Sequence, residues 1–134
     1  MSSLRLILLF IMFNFSFPGW SQQMYDRSGS LIGRYDGGKL YDRSGALVGR
    51  IDGERIYDRA GCYMGYERDG KFYDHSGSYL GYTNGERFYD RTGSYKGYFR
   101  NGNVYDHTGG LIGRGNIPTI IVAIVYFYGI FPLR

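Results

Sequence analysis

The chain has 134 residues, a formal net charge of +4, 22 glycines, 15 tyrosines and one cysteine. A single cysteine excludes a fold held together by internal disulfide bonds. Basic and acidic residues are interspersed along the chain, which disfavours nucleic acid as a partner, and a chain this short can bury only a thin core built from repeated layers.

The first 21 residues have the pattern of a secretory signal. Arg5 supplies a positive start, residues 6–17 form a mostly apolar run, and residues 19–21 place small side chains where a signal peptidase reads them. An N-terminal membrane anchor is the alternative, but the run is shorter than the roughly 20 residues that a helix needs to cross a bilayer. We therefore predict a signal peptide over 1–21, cleavage before Gln22, and export to the periplasm, the cell surface or the medium.

A sixteen-residue repeat occupies most of the remaining chain. Its marker is a tyrosine followed by Asp, two further residues and Gly, as in YDRSGALVGRIDGERI at 41–56. A repeat this short holds one hairpin, so we expect a hairpin repeat domain over 22–116, with six copies of which the last is truncated. The marker tyrosines are Tyr25, Tyr41, Tyr57, Tyr73, Tyr89 and Tyr105.

Each repeat carries two tight turns. The Y-D-x-x-G segment predicts a type I turn closed by a glycine bulge, because Asp can accept hydrogen bonds from the backbone ahead of it and Gly can adopt a positive φ. An Asp-Gly or Asn-Gly pair at the other end predicts a type I′ turn. This pair stands one place later in the third and fifth copies, which predicts loops shifted in register by one residue. The pairs are 36–37, 52–53, 69–70, 84–85 and 101–102.

Two tight turns per repeat predict an all-β fold. The chain would form an antiparallel meander of about eleven or twelve strands, each roughly four to six residues long. The tandem hairpins would make a pseudo-symmetric body shaped like a flower or a barrel. Helix is excluded over 25–116, where Gly, Asp and Asn interrupt any helical period.

Two sets of apolar positions recur in the repeat and predict the core. One is a single residue before the marker tyrosine, and the other is a pair of residues after the first turn. Lys96 interrupts the second set, and we expect its side chain at an edge of the core. The single residues are Leu40, Ile56, Phe72, Phe88 and Val104, and the pairs are 31–32, 47–48, 63–64, 79–80 and 111–112.

A glycine lies inside the second strand of every repeat. Glycine in a strand interior marks a bend, a bulge or the close approach of another backbone or ring. We expect hairpins packed closely around an axis or a tyrosine ring over each glycine, with a ligand pressed against the glycines as a weaker alternative. These glycines stand at 33, 49, 65, 81, 97 and 113.

The sequence predicts no catalytic centre, metal site or cofactor. The aspartates of the repeats occupy the turn-initiating position, which favours a turn role over a carboxylate ladder for metal. His75 and His107 stand far apart in turns without further ligands nearby in sequence. Every candidate nucleophile, such as Ser44, belongs to a repeated series, whereas an active site is a single place.

One slot after the strand glycine distinguishes the middle repeats from the outer ones. It holds Tyr66, Tyr82 and Tyr98 in the middle, and arginine at 34, 50 and 114 in the outer copies. Exposed tyrosine offers broad contact area with a hydroxyl group. The three tyrosines are therefore the candidate ligand surface, for a glycan, a peptide or an envelope component. The alternative is that their rings pack on one another across strands.

The C-terminal segment, residues 117–134, is hydrophobic. Residues from Ile117 to Leu133 carry no charge, and their Ile, Val and Thr content favours a buried strand. Pro118 and Pro132 leave a central stretch shorter than a membrane helix needs. Three interpretations stay open: the segment fills or closes the β body, contacts a membrane, or forms a surface for a partner or for self-association.

The run YDRSGALVGRIDGERIYDRAG behind an export signal resembles the bacterial four-fold beta-flower proteins. The similarity extends from Met24 to about Ile117. It implies a pseudo-symmetric flower of hairpin petals and no assigned activity. This chain has five full copies and one truncated copy, so a four-fold arrangement need not map one copy to one petal.

Together these features predict an exported, noncatalytic repeat protein of the bacterial envelope or cell surface that acts by binding or assembly. A membrane-associated protein held by its C-terminal tail is the alternative, and a small hydrolase ranks third. The sequence leaves the ligand and the oligomeric state open.

Overall fold

The computed structural model describes residues 22–133, so the predicted signal peptide lies outside the described residues. Within this range the chain forms twelve strands joined by tight turns. They are β1 (Gln22–Asp26), β2 (Leu31–Asp36), β3 (Lys39–Asp42), β4 (Leu47–Asp52), β5 (Arg55–Asp58), β6 (Tyr63–Arg68), β7 (Lys71–Asp74), β8 (Tyr79–Thr83), β9 (Arg87–Asp90), β10 (Tyr95–Arg100), β11 (Asn103–Asp106) and β12 (Leu111–Gly115).

The strands form a closed antiparallel barrel in which each strand pairs with its neighbours in sequence. The first strand, β1, also pairs with β12, with Met24 opposite Gly115 and Tyr25 opposite Arg114. This pairing closes the ring, so the described barrel presents no unpaired strand edge. The predicted all-β meander of hairpins is confirmed, and the first and last repeats lie side by side.

Aspartate organises each Y-D-x-x-G turn. In the first turn, Asp26 Oδ1 accepts hydrogen bonds from the backbone N–H groups of Ser28 (2.9 Å) and Ser30 (3.1 Å), and Gly29 adopts a φ of +87°. The same two bonds recur in the other five turns, with distances from 2.8 to 3.0 Å. The predicted turn role of these aspartates is confirmed.

A β-bulge follows each of these turns. Between β1 and β2, Met24 faces Gly33 while Tyr25 faces Leu31, which leaves Ile32 as the extra residue. Equivalent register shifts occur in the other five hairpins. The prediction that both residues of each apolar pair belong to the core is therefore wrong in part. Only the second residue of each pair packs in or against the core. Lys96, in the same position, is half-buried.

The turns at the other end of the barrel share one register, so the predicted one-residue shift is wrong. Two-residue loops connect residue 36 to 39, 52 to 55, 68 to 71 and 100 to 103, and these paired residues stand at the same place in each repeat.

The first residue of each of these loops needs a positive φ. Gly37 and Gly53 meet this need as glycines, whereas Asp69 (φ +53°) and Asn101 (φ +54°) meet it as Asx residues. Both loop residues have positive φ at 37–38, 69–70 and 101–102, as a type I′ turn requires, but not at 53–54.

The apolar residues that precede the marker tyrosines line the barrel interior. Leu40, Ile56, Phe88 and Val104 are fully buried, and Phe72 is 1% exposed. Met24 is also fully buried and belongs to the same core cluster. This predicted set of core residues is confirmed.

The C-terminal segment fills the barrel. The four residues from Ile121 to Ile124 are fully buried, and Val125, Tyr126 and Phe131 are nearly so. They form a single core cluster with the inward side chains of the strands. Of the three interpretations left open by the sequence, the structure shows the filling of the β body. Within residues 22–133, no helix has the length and apolar character to span a bilayer.

The filling segment is helical, so the buried strand favoured by its Ile and Val content is wrong. Helix α1 spans Thr119–Val122, and a π-helical turn spans Ala123–Phe127. Each barrel strand already has two partners, so a further strand inside would leave its N–H and C=O groups unpaired, whereas a helix pairs them internally. The N–H of Tyr128 accordingly donates to the carbonyl of Ala123 at 2.8 Å.

The strand glycines make room for the side chains of this segment. A Cβ atom added at Gly97 would lie 2.9 Å from Phe127 Cε1, and it would also meet the carbonyl oxygen of Tyr105 on the next strand. The same contact joins Gly113 to Tyr126, Gly81 to Tyr128, Gly49 to Phe131 and Gly33 to Leu133. The predicted close approach of a backbone or ring is confirmed, but the rings belong to the C-terminal segment and not to the repeats.

Two tyrosine hydroxyls fix the segment against the barrel wall. Tyr126 Oη donates to the carbonyl oxygen of Tyr25 at 2.7 Å. Tyr128 Oη lies within hydrogen-bond distance of the carbonyl oxygens of Tyr82 (3.0 Å) and Tyr89 (2.9 Å). Burial raises the pKa of Tyr128, so this hydroxyl keeps its proton as a donor.

Candidate ligand-binding surface

The outward rings of the middle repeats are stacked in pairs. In the strand register, Tyr66 lies opposite Tyr73, with ring centroids 4.6 Å apart and an angle of 17° between the rings. The centroid distance is 6.3 Å for Tyr82–Tyr89 and 4.6 Å for Tyr98–Tyr105. The cross-strand packing that the sequence offered as an alternative is confirmed. The use of Tyr66, Tyr82 and Tyr98 as a ligand surface stays a prediction.

In the outer repeats an arginine replaces one ring of each pair. The distance from the guanidinium carbon to the ring centroid is 4.1 Å for Arg34–Tyr41, 4.5 Å for Arg50–Tyr57 and 5.8 Å for Arg114–Tyr25. These are cation–π contacts. The Arg114–Tyr25 pair joins β12 to β1, so the ring of stacked pairs continues across the barrel junction.

A second row of tyrosines widens the aromatic surface of the middle repeats. Tyr63, Tyr79 and Tyr95 each lie beside the marker tyrosine of their own hairpin, with centroids 5.7 to 6.1 Å apart. Leucine stands in this slot in the outer repeats. We call the resulting surface the tyrosine face; it consists of Tyr57, Tyr63, Tyr66, Tyr73, Tyr79, Tyr82, Tyr89, Tyr95, Tyr98 and Tyr105.

Barrel closure gathers the outer repeats into one surface. In sequence, the slots with arginine and leucine lie at the two ends of the repeat domain. In the barrel, β1 lies between β2 and β12, so these ends are neighbours. The barrel wall is therefore divided into a tyrosine face and a single opposite face that carries arginine and leucine.

Two clefts on the tyrosine face share the same set of lining residues, 32 positions apart in sequence. The first has a volume of about 160 Å³ and is lined by Glu54, Arg55, Tyr63, Tyr66 and Arg68. The second has a volume of about 280 Å³ and is lined by Glu86, Arg87, Tyr95, Tyr98 and Arg100. We call them the paired clefts. An ion pair crosses each, 3.6 Å from Arg68 to Glu54 and 3.4 Å from Arg100 to Glu86.

A larger groove than either paired cleft lies at the junction of β1 and β12. Its volume is about 600 Å³, and its lining includes Gln23, Asn103, Arg114 and Asn116. It lies where the chain enters and leaves the barrel, at the end opposite the Y-D turns. Its charged residues are Asp36 and Arg114, and Arg114 already contacts the ring of Tyr25.

The turn aspartates form hydrogen bonds within their own turns. The hydroxyl of Ser28 is the main cause that lowers the pKa of Asp26, and nearby backbone N–H groups add to it. A Ser or Thr hydroxyl acts in the same way on Asp42, Asp74, Asp90 and Asp106. Across residues 22–133, no cluster of three or more His, Cys, Asp or Glu residues could hold a metal ion. His75 and His107 are exposed in their turns.

The described chain is thus a closed antiparallel barrel of repeated hairpins, filled by its own C-terminal helical segment. A family model described as 5-fold beta-flower protein matches residues 21–131. The chain belongs to this five-fold beta-flower family. Searches of curated proteins and of solved structures gave no match.

The beta-flower resemblance is confirmed, although the matching family is described as five-fold and not four-fold. In the described barrel, six hairpins close on Y-D turns and five connections close the opposite end. The sixth connection is replaced by the chain termini of the barrel, Gln22 and Gly115.

Sequence reasoning missed the charged residues of the paired clefts. The signal was present, because residues 54–68 (ERIYDRAGCYMGYER) and 86–100 (ERFYDRTGSYKGYFR) share Glu-Arg and a final Arg. The repeat between them has Gly70, Lys71 and Asn84 in these places. A search for a period of two repeats would have found the pattern.

Proposed function

We propose that this chain is an exported, noncatalytic protein of the bacterial envelope or cell surface that acts by binding or assembly. The observation that carries the proposal is the tyrosine face, which collects ten rings on one side of a closed barrel. Tyr63 and Tyr95 are 39% and 38% exposed. Tyrosine side chains provide contact area at a low entropic cost and carry a hydroxyl for hydrogen bonding.

The candidate residues Tyr66, Tyr82 and Tyr98 would form the supporting layer of this surface. Each is half-buried against the ring of a marker tyrosine, which holds it in place before a ligand arrives. A binding surface whose rings are already ordered loses less conformational entropy when a ligand binds.

The alternative of a protein held in a membrane by its C-terminal tail has a structural cost. The apolar side chains that an anchor would use are the ones that fill the barrel, among them Ile121 and Ile124. If the tail entered a bilayer, the barrel would lose these core contacts. Burial of the tail therefore supports the binding protein over the anchored one.

Export is tested by cell fractionation combined with protease treatment of intact cells that produce the full chain. We expect a product that begins at Gln22 in the periplasm or at the outer surface. A full-length product retained in the cytoplasm would contradict the proposal.

Binding is tested by co-sedimentation of residues 22–134 with isolated envelope fragments. The triple variant Tyr66→Ser, Tyr82→Ser, Tyr98→Ser should lose most of the binding, at least about tenfold if each ring contributes about 0.5 kcal/mol or more. The matched control replaces Leu31, Leu47 and Leu111 by Ser on the opposite face and should bind as the parent does. Equal losses in both variants, or no loss in either, would contradict the proposed surface.

A further inference from the structure

We propose that the paired clefts bind two anionic sugar units of one acidic polysaccharide chain. This inference rests on the proposed binding function, and it gives that function a site and a class of ligand.

One arginine in each cleft has its charge available to a ligand. Arg55 on β5 lies directly opposite Tyr66 on β6, and Arg87 on β9 lies opposite Tyr98 on β10. The ion pairs of the clefts use the other arginines, 68 and 100, and in the described chain no carboxylate forms an ion pair with Arg55 or Arg87. Two arginines and one glutamate give each cleft a net charge of +1.

The rings that wall the first cleft are held by their neighbours. Tyr63 contacts Tyr57 edge to face at 6.1 Å, and Tyr66 stacks on Tyr73 at 4.6 Å. In the second cleft, Tyr95 and Tyr98 are held in the same way by marker tyrosines, at 5.9 and 4.6 Å. The walls are therefore in place before a ligand binds.

The backbone also fixes the glutamate at the rim of each cleft. The N–H of Glu67 donates to the carbonyl oxygen of Glu54 at 2.8 Å, and the N–H of Phe99 donates to that of Glu86 at 2.7 Å. These bonds tie the turn that carries the glutamate to the adjacent hairpin. The ion pairs that the two glutamates form with Arg68 and Arg100 are exposed and add little stability.

An anionic sugar unit matches this combination of groups. A tyrosine ring offers a flat apolar surface to the C–H face of a pyranose, and its hydroxyl can bond to a sugar hydroxyl. A guanidinium group donates two parallel N–H bonds to a carboxylate or a sulfate. Volumes of about 160 and 280 Å³ lie below the roughly 300 Å³ at which sites for drug-sized ligands begin, so each cleft suits a single ring unit.

The duplication indicates a polymeric ligand. Four strand spacings separate the β5/β6 cleft from the β9/β10 cleft, and at ~4.8 Å per spacing the clefts lie roughly 19 Å apart along the barrel surface. Tyr79 and Tyr82 lie between them and continue the aromatic surface. One chain that reaches both clefts binds the second cleft in an intramolecular step, which raises its affinity without any new contact.

A peptide is the less suitable ligand for this surface. Extended peptides commonly bind by adding a strand to a free sheet edge, and the closed barrel offers none among its described strands. The ligand must then be recognised through side chains alone, and those of the clefts suit a ring that carries an acidic group.

The ligand class is tested by calorimetric titration of residues 22–134 with oligogalacturonate. An oligomer of about twelve units should bind at least about tenfold more tightly than the dimer, because it can occupy both clefts. The methyl ester of the same oligomer keeps the rings but lacks the charge, and it should bind at least about tenfold more weakly than the acid. Polyglutamate of equal charge should bind as weakly as the ester.

The site is tested with Arg55→Gln and Arg87→Gln. Each single variant should reduce the affinity for the long oligomer to near that of the dimer, and the double variant should abolish measurable binding. The control, Arg43→Gln with Arg59→Gln, removes the same charge from exposed turns outside the clefts and should change the affinity by no more than about twofold.

Three results would overturn the inference: equal binding of acid and ester, binding of polyglutamate as tight as that of the oligogalacturonate, or equal losses in the cleft and control variants. If any of these occurs while the tyrosine triple variant still fails to bind envelope fragments, the proposed binding function stands without this ligand. If the triple variant also behaves as the parent, both proposals fail.

Discussion

At the scale of single residues, glycine and aspartate determine how each hairpin is shaped. Five of the six strand glycines, all except Gly65, let the wall approach the C-terminal segment. Gly65, Gly81 and Gly97 have φ values near +150°. The turn aspartates satisfy backbone N–H groups that the strand ladder leaves unpaired. The copies of the repeat therefore share one form. Each copy has to close a Y-D turn and to let other atoms lie close to its strand glycine.

Gly97→Ala should destabilise the protein by about 3 kcal/mol, because the new Cβ would meet both Phe127 and a backbone carbonyl. The measurement is the free energy of unfolding in urea. The control is Gly110→Ala, where no heavy atom lies closer than 3.4 Å to the added Cβ and the second repeat already has alanine. The control should stay within about 0.5 kcal/mol of the parent. Equal effects of the two substitutions would contradict the packing described for the strand glycines.

Ser76→Ala should raise the pKa of Asp74 towards its usual value, because the serine hydroxyl is the main cause of the lowered pKa. A carboxyl whose pKa is lowered by folding adds stability above its unfolded pKa, and this contribution is lost as the pH falls through the folded value. The substitution should therefore destabilise the protein at neutral pH and have little effect in strong acid.

Carbon-detected NMR titration of Asp74 measures this shift. Ser78→Ala is the control, since Ser78 donates to Asp74 through its backbone N–H and keeps that bond when its side chain is shortened. An unchanged titration of Asp74 in Ser76→Ala, or an equal change in the control, would show that the hydroxyl is not the cause.

At the scale of elements, the C-terminal segment is the part that makes the barrel a filled body. Its backbone pairs internally, and its side chains enter the places left free by the strand glycines of five repeats. Tyr126, Phe127 and Tyr128 reach three successive repeats, at Gly113, Gly97 and Gly81. The segment and the repeats are therefore parts of a single core.

Deletion of residues 118–134 should prevent the barrel from folding, because it removes a large share of the buried side chains. Far- and near-ultraviolet circular dichroism of the truncated chain should show the loss of ordered β structure. Ile124→Ala is a milder variant that should cost about 2–5 kcal/mol and leave the fold intact. A truncated chain that is soluble and fully folded would support an anchor role for the tail.

At the scale of the whole molecule, the β1–β12 pairing converts a linear array of hairpins into a ring. An open array of repeats frays from its ends, since its terminal repeats have one neighbour each. In the closed barrel every strand has two partners. The terminal strands are therefore as well supported as the central ones.

Amide hydrogen exchange followed by mass spectrometry should find β1 and β12 protected to a similar degree as β6 and β7, because the closed barrel has no free end. Opening should occur globally, at one rate for all four strands. Rapid exchange confined to β1 and β12 would show an open array of hairpins.

The sequence predicts the hairpins well because turn chemistry is local. The place of Asp26 and Gly29 in their turn, or of Leu40 in the core, follows from a few neighbouring residues. The helical form of residues 119–127 could not be predicted in this way, because it depends on a closed wall that leaves no strand edge free. The single face that carries arginine and leucine depends on the same closure, which joins the two ends of the repeat domain. Each of the paired clefts, by contrast, is lined by residues from one stretch of the sequence, 54–68 or 86–100.

The central claim is that the C-terminal segment lies inside the ring of hairpins, and nuclear Overhauser contacts test it most directly. Contacts from the ring protons of Tyr126, Phe127 and Tyr128 to the Hα protons of Gly113, Gly97 and Gly81, respectively, are expected, because ring and glycine touch in each pair. Rings that show no contact to any strand glycine, in a chain that is otherwise folded as β structure, would contradict the account.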